Sequence, residues 1–298
     1  MSRAGRAVMP VEDRRLLAIA LALGAFLAFT GIDTCAKWLV LAGIPTAEVV
    51  FVRFFVHLAL VVATAAFAGD ALLRTGRRGT VMLRGCFLLG STVLNFWALG
   101  YLPLATTSSI FFTSPLWICL MSIPLLGERV GPRRWAAMLI GFAGILLVTR
   151  PWSEAAHWAV LLSLGAAFCA ATYAILTRRL AGQHSTAVQQ FYAAGIAALG
   201  TAPLALSAWA WPQEPATWLA FALVGAFGWA GHQLLTIAHR FAPATVIAPF
   251  VYVQILYMTL SGWVIFGDVP DGWVVAGAGV VMASGLYIWL RERSLAAR

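Results

Sequence analysis

Polar positions are sparse along this chain, and they punctuate it rather than alternate with apolar ones. Between them run apolar stretches near residues 16–40, 46–68, 80–101, 104–126 and 134–149, then 156–177, 187–210, 216–239, 244–266 and 273–290. Most hold about 20 residues, enough for a helix rising 1.5 Å per residue to cross roughly 30 Å of hydrocarbon. Barrel strands would be about half as long, and an open sheet would leave its edge amides unpaired in lipid. The pattern predicts an all-α membrane protein of ten transmembrane helices. The first run is too long for the core of a cleaved signal and further runs follow it, so it is read as a retained first helix. Connections are short and leave no room for a nucleotide-binding or catalytic domain. ATP-driven pumping would need a separate subunit.

Composition strengthens this reading. Hydrophobic residues make up 61% of the chain and charged ones 10%, against about 25% charged in a soluble domain. That is too little polar surface to cover a water-soluble globule. The chain also holds 13 Trp, a residue whose amphipathic ring collects at the headgroup level. Cys35, Cys86, Cys119 and Cys169 each stand alone in an apolar run and read as small buried hydrophobes, with no metal or redox pattern.

A formal charge of +9 would suit a nucleic-acid partner, but its placement is topological. Short loops rich in Arg stay in the cytoplasm. One set of alternate loops, helix ends and both tails holds 17 of the 20 basic residues, including Arg74, Arg77, Arg78 and Arg84. The other side holds Arg150, while Lys37 and Arg53 lie inside helices. Both termini are therefore expected in the cytoplasm of a bacterial-type inner membrane, with 1–15 and 291–298 as tails. No nucleic-acid partner is expected; the partners are lipid, a small-molecule substrate and at most a second copy of the chain, as a homodimer.

The two halves repeat. A shift of 140 residues sets Gly85 on Gly225, Pro103 on Pro243, Gly127 on Gly267, Glu128 beside Asp268 and Ala143 on Ala283. A shift of 141 sets Leu23-Gly24-Ala25 on Leu164-Gly165-Ala166 and Lys37 on Arg178. Repeats over 16–150 and 151–290 with five helices each, an odd number, must run in opposite orientations. Inverted repeats place a substrate site near the midplane between them.

Leu102-Pro103-Leu104-Ala105 through Pro115, Leu126-Gly127-Glu128-Arg129-Val130 and Gly141-Phe142-Ala143-Gly144-Ile145 resemble the fourth and fifth helices of the EamA repeat, which defines the ten-helix branch of the drug/metabolite transporter superfamily. Ala248-Pro249-Phe250, Phe266-Gly267-Asp268 and Ser284-Gly285-Leu286-Tyr287 repeat the pattern in the second half. The resemblance covers nearly the whole chain. It implies two inverted five-helix EamA repeats and secondary active transport of a small organic metabolite by alternating access. Members of the family carry amino acids, S-adenosylmethionine, riboflavin, sugars and drugs. The Asp33-x-x-x-Lys37 and Arg53 pattern resembles the uptake-type members; amino-acid or drug export is the alternative.

An ionisable group inside a span costs roughly 2.5–3.5 kcal/mol on insertion scales and is a functional candidate by default. Asp33 and Lys37, four apart on helix 1, are expected to pair. Arg53 and His57 have the same spacing on helix 2, with Glu48 near its outer end. In the functional reading these groups bind a polar or zwitterionic substrate and Asp33 couples transport to a proton. In the competing reading Lys37 snorkels, Glu48 is solvated and Asp33 neutralises a neighbour.

Ser91, Thr92 and Asn95 on helix 3, and Trp229, His232, Gln233 and Thr236 on helix 8, form polar stripes. The repeat shift sets Thr92 on His232, so the stripes are expected to face each other across the axis. Helices 4 and 9 add Pro115 and Pro249, each leaving a carbonyl without its helical donor, together with Phe112, Tyr252 and Gln254. Trp97, Phe111, Phe112, Trp229, Tyr252 and Tyr257 offer stacking surfaces for a heteroaromatic substrate, such as a vitamin like riboflavin. Gly127-Glu128 and Gly267-Asp268 read as helix C-caps, and His239 as interfacial. The cavity is expected between helices 1, 3, 4, 6, 8 and 9.

No HExxH, P-loop, GxSxG or metal-spaced acidic pair is present, so no cofactor and no catalytic residues are expected. An intramembrane enzyme would need a Ser/His or Asp/Asp pair at one depth. A receptor would need a soluble output domain. Neither is visible, and transport is the reading that remains.

Overall fold

The computed structural model describes residues 15–69, 78–114, 132–150, 157–180, 185–241 and 248–296, with isolated positions at 72, 116–118, 120–121 and 152. These hold ten α-helices and no strand. The first half contributes α1 (Arg15–Leu41), α2 (Thr46–Ala68), α3 (Arg78–Leu99), α4 (Leu104–Phe111) and α5 (Pro132–Thr149). The second contributes α6 (Val160–Leu180), α7 (Thr186–Ser207), α8 (Pro215–Phe241), α9 (Val253–Phe266), entered through a 3-10 turn at Ala248–Tyr252, and α10 (Gly272–Ala296). Five of them, α1, α2, α3, α6 and α8, are each long and apolar enough to span a bilayer, while α5, α9 with its 3-10 turn, and α10 contain shorter apolar segments.

The helix pairings carry the internal repeat. Exchanging each helix with the one five places on turns α1·α8 into α6·α3, α2·α8 into α7·α3 and α1·α9 into α6·α4, and all six pairs are in contact. The contacts α2·α7, α4·α9 and α5·α10 map onto themselves. Two five-helix units in opposite orientation produce that set, since a twofold axis in the membrane plane relates each pair to its mate.

Small residues draw these pairs together. Ala18, Ala22, Ala25, Ala36 and Leu39 form a stripe on α1 that is wholly buried. Opposite it, the Phe227 ring covers Gly31 and the Phe29 ring covers Gly231, a reciprocal fit in which a Cβ on either glycine would come within 2.8 Å of ring carbon. At the α5·α10 seam backbone meets backbone, because a Cβ on Gly277 would stand 2.6 Å from the Gly144 carbonyl oxygen. Ser284 Oγ donates across the seam to the Ala137 carbonyl at 2.6 Å. Without water to drive association, such close packing and interhelical hydrogen bonds hold a bundle in lipid. On the outside stand Phe67, Leu161, Leu199 and Val264, as a lipid-facing surface allows.

Two expectations change here. The apolar run at 104–126 is not one uninterrupted helix: α4 ends at Phe111, and Phe112 and Thr113 leave it as a turn. Thr107 Oγ1 bonds back to the Pro103 carbonyl, and Ser108 and Ser109 bond to that of Ala105, contacts that loosen a helix. Pro115 also has no N–H to give the Phe111 carbonyl. Cys86, expected buried, is exposed on the outer face of α3, where a small apolar side chain meets no penalty from lipid; Cys35 and Cys169 are half-buried. Pro115, Cys119, Gly127 and Glu128 lie outside the described residues, as do the side chains of His239 and Pro249.

Candidate functional site

Residues 84, 88, 91, 92 and 95 recur at helical spacing and put Arg84, Leu88, Ser91, Thr92 and Asn95 on one face of α3. That face forms one wall of a cavity of about 490 Å³, inside the roughly 300–1,000 Å³ range of small-molecule sites. The remaining walls come from α1, α2, α4, α6, α7, α8 and α9. Along the bundle the cavity is one-sided. Its lining includes Thr186, the first residue of α7, and Thr177, near the end of α6, both at the end where α1 begins. Toward the other end it stops at the level of Asp33 and Asn95.

Of the residues expected at the site, Asp33, Arg53, Ser91, Thr92, Asn95, Phe112, His232 and Gln254 line this cavity together. Asp33 Oδ1 accepts a hydrogen bond from Asn95 Nδ2 at 2.8 Å. Arg53 donates from Nη1 to Thr92 Oγ1 at 2.8 Å, and its guanidinium lies 4.3 Å from the Phe54 ring centroid. Arg53 Nε is buried without a partner. Thr92 and His232, which the repeat superimposes, both reach the cavity. The His232 ring packs 5.3 Å from that of Phe29 and 5.6 Å from that of His57. His57 lies behind the wall, its Nε2 at 3.3 Å from Gln190 Oε1.

Trp229 and Gln233 do not line the cavity, and the Trp229 indole N–H is buried without a partner. Tyr252 and Tyr257 are also outside the lining; the Tyr252 ring supports Phe112 from 5.7 Å. Trp97 is 47% exposed and points away from the site, because it falls on the lipid side of α3. Glu48 is neither solvated nor in the cavity: it is fully buried and accepts the Ala210 N–H at 2.9 Å.

The Asp33–Lys37 pair does not form. Lys37 is buried and donates instead to Asp268 Oδ2 at 2.5 Å and to the Leu102 carbonyl at 3.4 Å, with the Phe266 ring 4.8 Å away. Helical spacing makes Asp33 and Lys37 neighbours, but Gly267, at φ 71°, ends α9 in the left-handed conformation and turns Asp268 back toward α1. This ion pair joins the two repeats one turn beyond Asp33, where the cavity stops. Past it lies a smaller pocket of about 220 Å³ that includes Asp268, and there Arg150 pairs with Asp271.

Sequence reasoning missed a second group. Arg84, counted with the loop charges, is 4% exposed and lines the cavity. It donates to Thr177 Oγ1 at 2.7 Å, to the Gln189 carbonyl at 3.0 Å and to the Tyr173 hydroxyl at 2.5 Å. Its guanidinium lies 4.2 Å from the Tyr173 ring centroid. The signal was available in the α3 stripe, which continues without a break from Ser91 through Leu88 to Arg84. Among the described residues no three His, Cys, Asp or Glu side chains gather as a metal site would require.

Residues 16–150 and again 157–290 match the EamA-like transporter family. The chain belongs to this family. Within it, the chain is 29% identical to a riboflavin transporter of Vibrio cholerae, over 91% of this chain and 93% of the other. It is 29% identical to a pseudopaline exporter of Pseudomonas aeruginosa, over 82% and 86%. It is 26% identical to an S-adenosylmethionine uptake transporter of Rickettsia prowazekii, over 83% of each. A protein of known crystal structure matches its fold with a TM-score of 0.62 at 22% identity, covering 91% of this chain and 98% of the other. This EamA protein is thus a multi-pass bacterial membrane transporter of small metabolites in the drug/metabolite transporter superfamily, and not an enzyme.

Proposed function

We propose that the chain is a secondary carrier that works by alternating access on a planar, polar metabolite, with riboflavin as the leading substrate. The observation that carries this reading is the one-sided cavity, sealed between the repeats by Lys37 and Asp268. A site lined on one side and closed on the other by contacts between the repeats is one of the two states that alternation requires. The Arg count along the chain sets the lined end, where both termini lie, in the cytoplasm, so the state is inward-facing.

The lining favours a ring with polar edges. Phe29, Phe96, Phe111 and Phe112 supply faces, while Asn95, Gln254 and Ser91 supply donors and acceptors. The riboflavin and S-adenosylmethionine transporters among the relatives carry solutes with heteroaromatic rings, in keeping with such a lining. Asp33 is the proton-coupling residue in this scheme, as the one carboxylate among the described lining residues.

Counterflow in proteoliposomes tests the proposal. Vesicles preloaded with unlabelled riboflavin should take up labelled riboflavin, and Asn95→Ala or His232→Ala should raise the half-saturating concentration on the order of tenfold by removing one cavity contact. Absence of counterflow with riboflavin and with S-adenosylmethionine, in a monodisperse preparation, would refute the reading.

A further inference from the structure

Arg84 is a buried cation with no counter-charge among the described residues. Its three hydrogen bonds all go to neutral oxygens, and no carboxylate among the described residues pairs with it. Arg53, deeper in the cavity, differs in that it lies in the field of Asp33. His232 aside, the described cavity lining therefore holds two guanidinium groups against one carboxylate. One positive charge is left over, at the terminus-bearing mouth, in surroundings that screen it poorly.

The donors around this charge are also one-sided. A guanidinium carries five N–H groups, of which Arg84 uses three, so two remain. The Tyr173 oxygen accepts from Arg84, and its own proton has no acceptor among the described residues. The Thr177 hydroxyl accepts from Arg84 and gives its own proton to the Tyr173 carbonyl at 2.7 Å. Two N–H groups and one O–H are thus left without an acceptor among the described residues, on side chains that line the cavity. An oxyanion matches that set, because it only accepts and it supplies the missing charge.

We propose that Arg84 and Tyr173 form an anion subsite of the transport cavity, which takes a carboxylate or phosphate carried by the substrate while the ring occupies the aromatic part near Asn95. The inference rests on the reading of this cavity as the substrate site, and it predicts that a planar solute bearing a carboxylate or phosphate binds more tightly there than its neutral counterpart.

Matched neutral and anionic probes test it by thermal-shift titration of the purified protein: riboflavin against riboflavin 5′-phosphate, and nicotinamide against nicotinate. In the wild type the anionic member of a pair should half-saturate at a concentration roughly tenfold lower, as a charge-assisted contact implies. Arg84→Gln should abolish the preference by weakening the anionic member far more than the neutral one. Tyr173→Phe keeps the ring against the guanidinium and should reduce the preference, which makes it the deciding variant should Arg84→Gln fail to fold. No preference in any wild-type pair, or an undiminished one in Tyr173→Phe, overturns the proposal. Loss of the preference on adding phosphatidylglycerol would assign the subsite to a lipid headgroup and overturn it as a substrate site. Carriage itself is read separately: counterflow that Arg84→Gln leaves unchanged for both members of a pair refutes the subsite alone, whereas anion binding without counterflow refutes transport and retains the subsite.

Discussion

Asp33 is held between Asn95, which donates to it, and the field of Arg53. An asparagine at this position keeps the shape and an oxygen that can accept from Asn95, and it removes only the charge and the titration. Asp33→Asn should therefore lower accumulation driven by a pH gradient to the level of equilibration, while homoexchange of substrate continues. Uptake with and without an imposed gradient, measured beside the melting temperature, checks this. A drop in melting temperature with coupling intact would make Asp33 a structural counter-charge for Arg53 instead. Asp33, Arg53 and Asn95 were visible in the sequence because a polar group inside an apolar run has few innocent explanations. The partner of Lys37 was not visible, since spacing along one helix says nothing about a residue 231 positions away. Arg84 was hidden for a different reason: near the start of an apolar run, a cavity cation and a loop cation look alike.

At the scale of helices, the number and order of the elements follow from the lengths of the apolar runs. The helix breaks beside the cavity follow only in part. Pro115 and Pro249 pointed to irregular backbone, but back-bonding Thr and Ser hydroxyls accompany the end of α4 at Phe111, and α9 is entered through a 3-10 turn. Close helix approach is legible in the spacings Gly225-x-x-Gly228-x-x-Gly231 and Gly141-x-x-Gly144, which name no partner for each stripe. The α5·α10 seam makes a direct test, because two of the three atoms nearest a Cβ at Gly277 are backbone and cannot rotate away. A methyl there would meet the Gly144 carbonyl oxygen and the Val148 amide nitrogen at 2.6 and 2.9 Å. Gly277→Ala should destabilise the protein by about 1–3 kcal/mol, the usual cost of overpacking, and denaturation in detergent measures it. Gly279→Ala, on the same helix with open space at its Cβ, should be close to neutral. Equal effects of the two substitutions would mean that the seam is looser than the structure has it.

The paired contacts of the whole molecule make the two ends of the bundle related but unequal. At the end away from the termini, Lys37 of the first repeat meets Asp268 of the second, and the adjacent helices are further tied by Thr34 and Ser261 hydroxyls 2.7 Å apart. The ion pair lies between the large cavity and the smaller pocket, and under the proposed alternating access a solute passing from one to the other would part it. Its side chains are 7% and 28% exposed, dry enough for the attraction to persist in physiological salt. Removing either charge should therefore favour the outward-facing state. In a background with the native cysteines replaced, a cysteine at Ser91 reports cavity access from outside through its labelling by a membrane-impermeant thiol reagent. Lys37→Ala or Asp268→Asn should raise that rate on the order of tenfold, within the coupling energies of contacting charged pairs. The exchanged pair, Lys37→Asp with Asp268→Lys, should bring it back toward the wild-type value, because the attraction is restored with its ends reversed. Loss of packing alone would raise labelling in the exchanged variant as much as in the single ones. Such a result, or single variants that label no faster than the wild type, would remove the Lys37–Asp268 pair as the gate on the outer side.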